Sequence, residues 1–463
     1  MAQKLFGNTG SGRYSGKRGS PPSRPSHSEP ETQTPKKQKK SGLKVAVIIL
    51  AVILFIECAY CIAIFTNIPF IAKLRGIYIS TAMSTMNHQW LATALIPHDI
   101  VQEVVDGIEA DKNNQANLVS NWGDTGQSTE ASTEPQPTRS PSIGFSTNQA
   151  AAILADLAQA SGLNSEADEF FELFHELDED STYEYVDKHP EIIENGWDKF
   201  YVNEAGLDDE GTGIYTKQGD QVLAVNAEHG LLLIRVQDGI NYRGILAIGK
   251  DPSRLKLAPS KNLGGAGQYA GTIAENNNGI MAMTASGFGG AEGVGEGGDM
   301  TGAAMHSGKA YGSHYPWGYK RIELHTDNRL YITDAHTGFS KDCTDASEFS
   351  PALIVDGDIV VGAGTLYSAM NPRACLGQTK DESIMFLVIE GRYLDSVGTD
   401  APECAEILAR YDGYQAMNVD GGTSAILWYE GEYITRCSNS RRPNGRNLPN
   451  AWIYCKETVP DPE

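Results

Sequence analysis

The segment Met417-Asn418-Val419-Asp420-Gly421-Gly422-Thr423-Ser424 runs from apolar residues into an acid and two glycines. A carboxylate at the end of a strand is held rigidly, and the glycines allow the next amides to turn towards an oxyanion or phosphate. The same spacing also fits a hairpin turn with a solvated Asp. Val388-Ile389-Glu390-Gly391-Arg392 repeats the design with an added cation. If the two strands are neighbours, Glu390 and Asp420 leave the sheet at one edge, within reach of one substrate; a surface ion pair is the alternative for Glu390. Arg373 precedes the Glu390 strand, and Arg436, Arg441, Arg442 and Arg446 crowd the stretch around and after Cys437. Arginine offers a planar, permanently charged fork suited to phosphate. Any single one of them also fits a solvated loop.

Other chemistries find less support. There is no G-x-S-x-G elbow, P-loop or H-E-x-x-H. Gly293 to Gly298 matches G-x-G-x-x-G, but no apolar helix follows, so it reads as a loop bordering the site after Ala285-Ser286-Gly287-Phe288. His306, His314, His325 and His336 lack metal-ligand spacing, and no metal or cofactor is expected. The chain carries a formal net charge of −22. Such a surface repels nucleic acid, so an anionic substrate needs a local cluster of Arg or a metal to hold it.

The elements that must position these residues come late in the chain. From about Trp197, short β-like runs alternate with Gly, Asp and Asn, and Asp356-Gly357 and Glu430-Gly431 read as hairpin turns. One helix, from about Ala401 to Tyr411, joins the strand before Glu390 to the strand before Asp420, which gives a β-α-β crossover. The expected fold is therefore α+β, with a mixed, strand-rich domain at 197–457.

Ahead of that domain the composition shifts several times. Residues 1–44 hold ten Lys/Arg, two Asp/Glu and few large apolar residues, and read as a disordered basic tail. Residues 45–72 are nearly all apolar, long enough to cross a bilayer, and lack a cleavage site, so they read as an uncleaved transmembrane signal anchor. The lysines that precede it place the N-terminus in the cytoplasm and the rest outside. Glu57 is its one charge, outweighed by the apolar residues around it. A juxtamembrane segment follows at 73–112, then a Ser/Thr/Pro/Gln-rich spacer at 113–145 and a helical segment at 146–196. The latter opens on the capping-box spacing Ser146 to Gln149 and continues with a second helix around Phe170, Phe171, Leu173, Phe174 and Leu177. The acidic run Asp178-Glu179-Asp180 reads as a solvated turn. Five cysteines lie beyond the anchor, where disulfides are permitted.

Taken together, these motifs resemble the phosphodiester glycosidase family, the group related to the lysosomal enzyme that uncovers mannose 6-phosphate. Ala285-Ser286-Gly287-Phe288 looks like its Asn-Gly-Gly-Phe strand end, and Phe349 to Gly357 looks like its hairpin. Asn371 to Gly377 is similar to its Arg-Thr-Ala-Ile-Gly segment, and Val388 to Arg392 to its Asp-Gly-Arg strand end. Asn418 to Ser424 resembles its Leu-Asp-Gly-Gly-Gly-Ser signature, and Gly445 to Ala451 stands where its closing Arg motif would be. Ser80 to Leu91 is similar to the segment preceding this domain in membrane-anchored bacterial relatives. Ser286, Glu390 and Thr423 depart from the family pattern, which leaves the pocket's shape open.

The resemblance implies a hydrolase acting outside the cytoplasm on a sugar-1-phosphodiester in an envelope glycan, with no nucleic-acid partner. Asp420 and Glu390 are expected in acid/base or oxocarbenium-stabilising roles, with Arg373 and Arg392 beside them. Ser286, Gly287, Gly421, Gly422, Ser424 and Arg446 are expected to bind substrate. A glycopolymer-binding module and a phosphodiesterase that cleaves P–O both remain alternatives.

Overall fold

The computed structural model describes residues 41–83, 89–116, 118–122, 163–206, 211–239, 241–289, 297–314, 318–362, 369–460 and 462. The basic tail, the capping box at 146–149 and most of the glycine-rich loop and spacer lie outside the described residues. The chain divides into two units, 1–62 and 63–463.

Helix α1 (Ser41–Phe65) includes Lys44–Phe65, which is long and apolar enough to cross a membrane. It ends seven residues short of the expected span, because Pro69 opens a separate helix, α2 (Pro69–Met83). The Arg75 guanidinium donates to the carbonyls of Ile64 (2.8 Å) and Thr66 (3.0 Å), where no helical amide is left to do so. Helices α3 (Gln89–Leu95) and α4 (His98–Ala116) follow, and Ile79, Ile96 and Val101 pack with Ile64.

Helices α5 (Leu163–Leu173) and α6 (Glu179–Lys188) come next. Asp178, from the acidic run, is the N-cap of α6 and accepts from the Ser181 amide at 2.8 Å. The strands then begin: β1 (Tyr201–Asn203), β2 (Gln221–Asn226), β3 (Leu231–Asp238), β4 (Tyr242–Gly249) and β5 (Leu255–Pro259). Helix α7 (Ala270–Glu275) leads to β6 (Gly279–Thr284), β7 (Gly302–His306), β8 (Lys309–Ser313), β9 (Lys320–His325), β10 (Leu330–Asp334) and β11 (Cys343–Phe349). After β12 (Ala352–Val355) and β13 (Asp358–Ile359) come β14 (Arg373–Thr379), β15 (Ile384–Ile389), α8 (Ala401–Ala409) and β16 (Gly413–Val419). The described chain closes with β17 (Leu427–Tyr429), β18 (Glu432–Tyr433) and β19 (Asn450–Cys455). The fold is α+β, as expected.

Three sheets form, ordered β1-β2-β3-β4-β15-β14-β16-β12-β13, β10-β9-β11-β7-β8 and β18-β17-β6-β19-β5. The nine-stranded sheet is covered on both faces. Leu376, Phe386, Val388 and Met417 pack with Met281, Met283, Ile322 and Trp452 of the smaller sheets, while Cys375, Met385 and Leu387 pack with Phe174, Cys404, Ile407 and Leu408 of the helical side. Burial on both faces explains why Ile384–Ile389 is apolar without alternation. Asp356 and Gly357, with φ of 53° and 88°, make the expected turn between β12 and β13.

The β-α-β crossover is present, but its strands are not neighbours. β15 and β16 both pair antiparallel to β14, which lies between them. Two strand spacings put them about 10 Å apart, pointing the same way. Glu390 and Asp420 therefore do leave at the same edge, separated by the start of β14.

The first residues of the expected spacer are docked rather than free. Gln115 donates to the carbonyls of Ala352 (3.0 Å) and Val360 (3.1 Å) and accepts from the Ala352 amide (2.9 Å). Ser120 exchanges hydrogen bonds with Ile332 of edge strand β10. The Trp122 indole donates to Leu330 O at 2.9 Å, lies 4.8 Å from the Tyr414 ring and carries the Arg329 guanidinium at 5.0 Å. These side chains satisfy the backbone groups that edge strands leave open. Trp122→Ala should lower the unfolding free energy by about 2 kcal/mol, read as a shifted denaturant midpoint, whereas a passive spacer would leave the midpoint unchanged.

Candidate active site

The ends of β6, β15 and β16 and the starts of β14 and β19 meet at one edge. The Asp420 amide donates to Ala285 O at 3.0 Å, which joins the end of the nine-stranded sheet to the end of β6. Asp420 keeps some solvent contact, but protein crowds it closely. This burial pushes its carboxyl up to about 6, opposed by Ser424, the Arg446 charge and the Gly421 amide. Arg446 stacks on Phe288, its guanidinium carbon 4.1 Å from the ring centroid.

Gly421 has no room for a side chain, since a Cβ there would stand 2.8 Å from Pro372 O. Gly422, at φ 61°, takes a backbone shape that other residues adopt at a cost, and its amide donates to the same carbonyl at 2.9 Å. The turn Gly422–Ser424 is a single 3-10 turn. The Ser424 hydroxyl is buried and has no hydrogen-bond partner of good geometry.

Arg392 stands over this turn. Its Nη1 is 3.4 Å from the Thr423 hydroxyl and 3.3 Å from that of Ser438, and Nη2 would be 3.4 Å from a Cβ on Gly422. No ion pair to a carboxylate forms there among the described residues. Its backbone is held at φ 68°, a left-handed conformation unfavourable for Arg by roughly 1–2 kcal/mol. Such strain collects at functional sites. The Cys437 thiol donates to Thr423 O at 3.5 Å, tying the segment that follows to the turn.

Glu390 behaves differently. It is almost fully buried, and its two oxygens accept from the Arg436 amide and Nε, both at 2.7 Å. Arg436 also pairs with Asp395 at 2.9 Å and lies over the Tyr393 ring. Glu390 and Arg436 thus clasp the rim from two sides. Glu390→Ala would leave a half-buried cation short of its partner, and should lower stability by about 2–3 kcal/mol in a urea titration; an unchanged midpoint would mean the pair is only superficial.

Arg373 binds backbone carbonyls. Its Nε and Nη2 donate to Thr399 O (3.2 Å) and Ala369 O (2.7 Å), which fastens the start of β14 to the chain leading into α8. Ser286 is fully buried, its amide and hydroxyl both bound by Asn450 at 3.0 Å. Gly287 packs against Thr301 and Phe349. Asp420, Arg446, Arg392, Gly421, Gly422 and Ser424 thus gather at one place, while Glu390, Arg373 and Ser286 hold the walls.

Three residues at the site carried no sequence signal of their own. Phe288 and Asn450 sat inside motifs without being singled out, and Arg436 was grouped with the phosphate-binding arginines because its partner Glu390 lies 46 residues earlier. His306 lies against Asn450 at 3.3 Å, and burial lowers it to about 4. All seven cysteines are free, so none of the permitted disulfides forms. Among the described residues no group of three or more His, Cys, Asp or Glu could hold a metal ion.

A strand-rich α+β domain with a carboxylate and arginines gathered at one sheet edge is the class that this geometry defines. Residues 270–454 match the family model for phosphodiester glycosidases, which bears out the resemblance read from the motifs. The chain is 24% identical over 179 residues to the SPbeta prophage-derived uncharacterized protein YomE of Bacillus subtilis, covering 36% of this chain and 27% of that one. It thus spans about a quarter of that relative's length.

Among solved structures, the zebrafish N-acetylglucosamine-1-phosphodiester alpha-N-acetylglucosaminidase catalytic domain, auto-inhibited by its pro-peptide, is similar at 15% identity and a TM-score of 0.41. That match covers 49% of this chain and 82% of the other. A putative exported protein of Burkholderia pseudomallei is similar at 14% identity and a TM-score of 0.34, covering 46% and 74%.

Proposed function

We propose that the C-terminal domain hydrolyses the bond between a sugar's anomeric carbon and the oxygen of a phosphodiester, in an envelope glycan outside the cytoplasm. The observation that carries this reading is Asp420, a carboxyl pushed up to about 6 by burial, beside the Arg446 charge and next to a glycine turn spanned by Arg392. The family match over 270–454 supports the reaction class.

The chemistry follows from the bond. A departing phosphomonoester is a weak base and leaves without a proton, so charge stabilisation matters most. Arg392 and Arg446 supply it to the phosphate, and Gly422, free of a side chain, leaves room beneath Arg392. Asp420, ionised, works at the sugar as the base for water or as the anion that stabilises an oxocarbenium ion. Glu390 keeps Arg436 and the rim in place, and Arg373 and Ser286 hold the pocket wall. Helix α1 anchors the protein in the membrane, with the preceding lysines on the cytoplasmic side.

The decisive experiment incubates the protein with a panel of sugar-1-phosphodiesters in oxygen-18 water. Label in the released sugar, with an unlabelled phosphomonoester, supports this reading. Label in the phosphate would instead mean P–O cleavage, and affinity for glycans without turnover would leave a binding module.

A further inference from the structure

The geometry points to Asn450 as the residue that positions Arg446 opposite Asp420. Asn450 is fully buried at the start of β19 and touches neither of them through any hydrogen bond. Its carboxamide instead holds the end of β6: Oδ1 accepts from the Ser286 amide, and Nδ2 donates to the Ser286 hydroxyl, each at 3.0 Å. Nδ2 also lies 3.3 Å from Met300 Sδ and from His306 Nε2.

Each contact reaches a different segment beneath the pocket. Met300 bridges to Phe288 as a β-partner, and the Gly287 carbonyl accepts from the Thr301 amide at 2.8 Å. One side chain therefore fixes the strand end 286–288 and the returning segment 299–301 together.

Asn450 is also the root of the loop that carries Arg446. Three residues separate them, and Leu448 between them exchanges backbone hydrogen bonds with Gln268. Phe288 stands two residues beyond Ser286, so both partners of the Arg446–Phe288 stack spring from groups that Asn450 holds. A stacked guanidinium keeps its direction only if ring and loop keep their spacing. Neighbours of this kind, outside the reacting groups, change activity by aiming them. The inference rests on the reading that Arg446 and Asp420 meet the substrate.

The test uses the full chain in detergent and four variants: Asn450→Ala, Phe288→Ala, Arg446→Ala and the double variant Asn450→Ala/Arg446→Ala. Hydrolysis of a sugar-1-phosphodiester and calorimetric binding of inorganic phosphate are both read. Asn450→Ala should lower kcat/KM by roughly 10–100-fold, and the same substitution made on top of Arg446→Ala should lower it by less than about twofold, since coupled residues are not additive. Phe288→Ala, which leaves the carboxamide contacts intact, should reproduce the loss and serves if Asn450→Ala does not fold.

Equal losses in both backgrounds would mean a structural role alone and overturn the proposal, as would a folded Asn450→Ala protein with unaltered turnover and phosphate affinity. If no phosphodiester is cleaved but phosphate binding weakens alike in Asn450→Ala and Arg446→Ala, the reaction reading fails and the positioning role stands. Phosphate binding and turnover both absent from the unaltered protein would remove both.

Discussion

Asp420→Asn should lower kcat/KM by about 10³-fold, the scale of losing a positioned acid/base group, and at the same time make the protein more stable at pH 8. The second half follows from linkage. Burial raises the folded carboxyl to about 6, above the roughly 3.9 of an unfolded chain. Above pH 6 the folded protein must hold an ionised group that its surroundings disfavour, a cost of up to roughly 3 kcal/mol. Asparagine avoids that cost. Below about pH 4 both states are protonated and the advantage disappears, so the gain in Tm should be full at pH 8, partial at pH 5 and absent below pH 4. Activity of the unaltered protein should follow the same group: kcat/KM climbs as pH rises through about 6 and then levels. A variant that is dead and yet more stable cannot be explained by misfolding. Undiminished hydrolysis would remove Asp420 from the mechanism.

Arg392→Ala should cost about 10²–10³-fold in kcat/KM with little change in Tm. Among the described residues its guanidinium hydrogen-bonds the hydroxyls of Thr423 and Ser438, at 3.4 and 3.3 Å. Removing it breaks no ion pair among the described residues, and alanine at φ 68° carries the same backbone cost as arginine. Arg392→Lys keeps a charge but loses the planar fork, and should recover part of the activity. The contrast with Glu390→Ala is the informative comparison, because that change strikes stability first. If Arg392→Ala lost stability and kept turnover, the assignment of this arginine to phosphate would fall.

Local features of the site were legible in the sequence where a short stretch determines its own geometry. Asp420-Gly421-Gly422 and Asp356-Gly357 are of this kind, since glycine and strand pattern together define a turn. Helix α8, with Cys404, Ile407 and Leu408 inward, was readable for the same reason. What escaped depends on partners distant in the chain. For Glu390 the sequence leaves a catalytic acid and an ion pair both open, because Arg436, the partner that makes the pair, lies 46 residues away. The order of strands was equally hidden, because periodicity says nothing about β14 entering between β15 and β16. Composition misled once, at 115–122. A polar stretch was read as a spacer, yet Gln115 and Ser120 use their polarity to close the edges of two sheets.

That docked stretch decides how the chain is held on either side of the Ser/Thr/Pro/Gln-rich segment. Trp122 fastens the chain on one side of the Ser/Thr/Pro/Gln-rich segment, and α5 on its far side packs Phe170 and Phe174 into the same body with Phe200 and Val222. A cut between Trp122 and α5 therefore leaves both flanks held in that body by packing alone, and should not separate them.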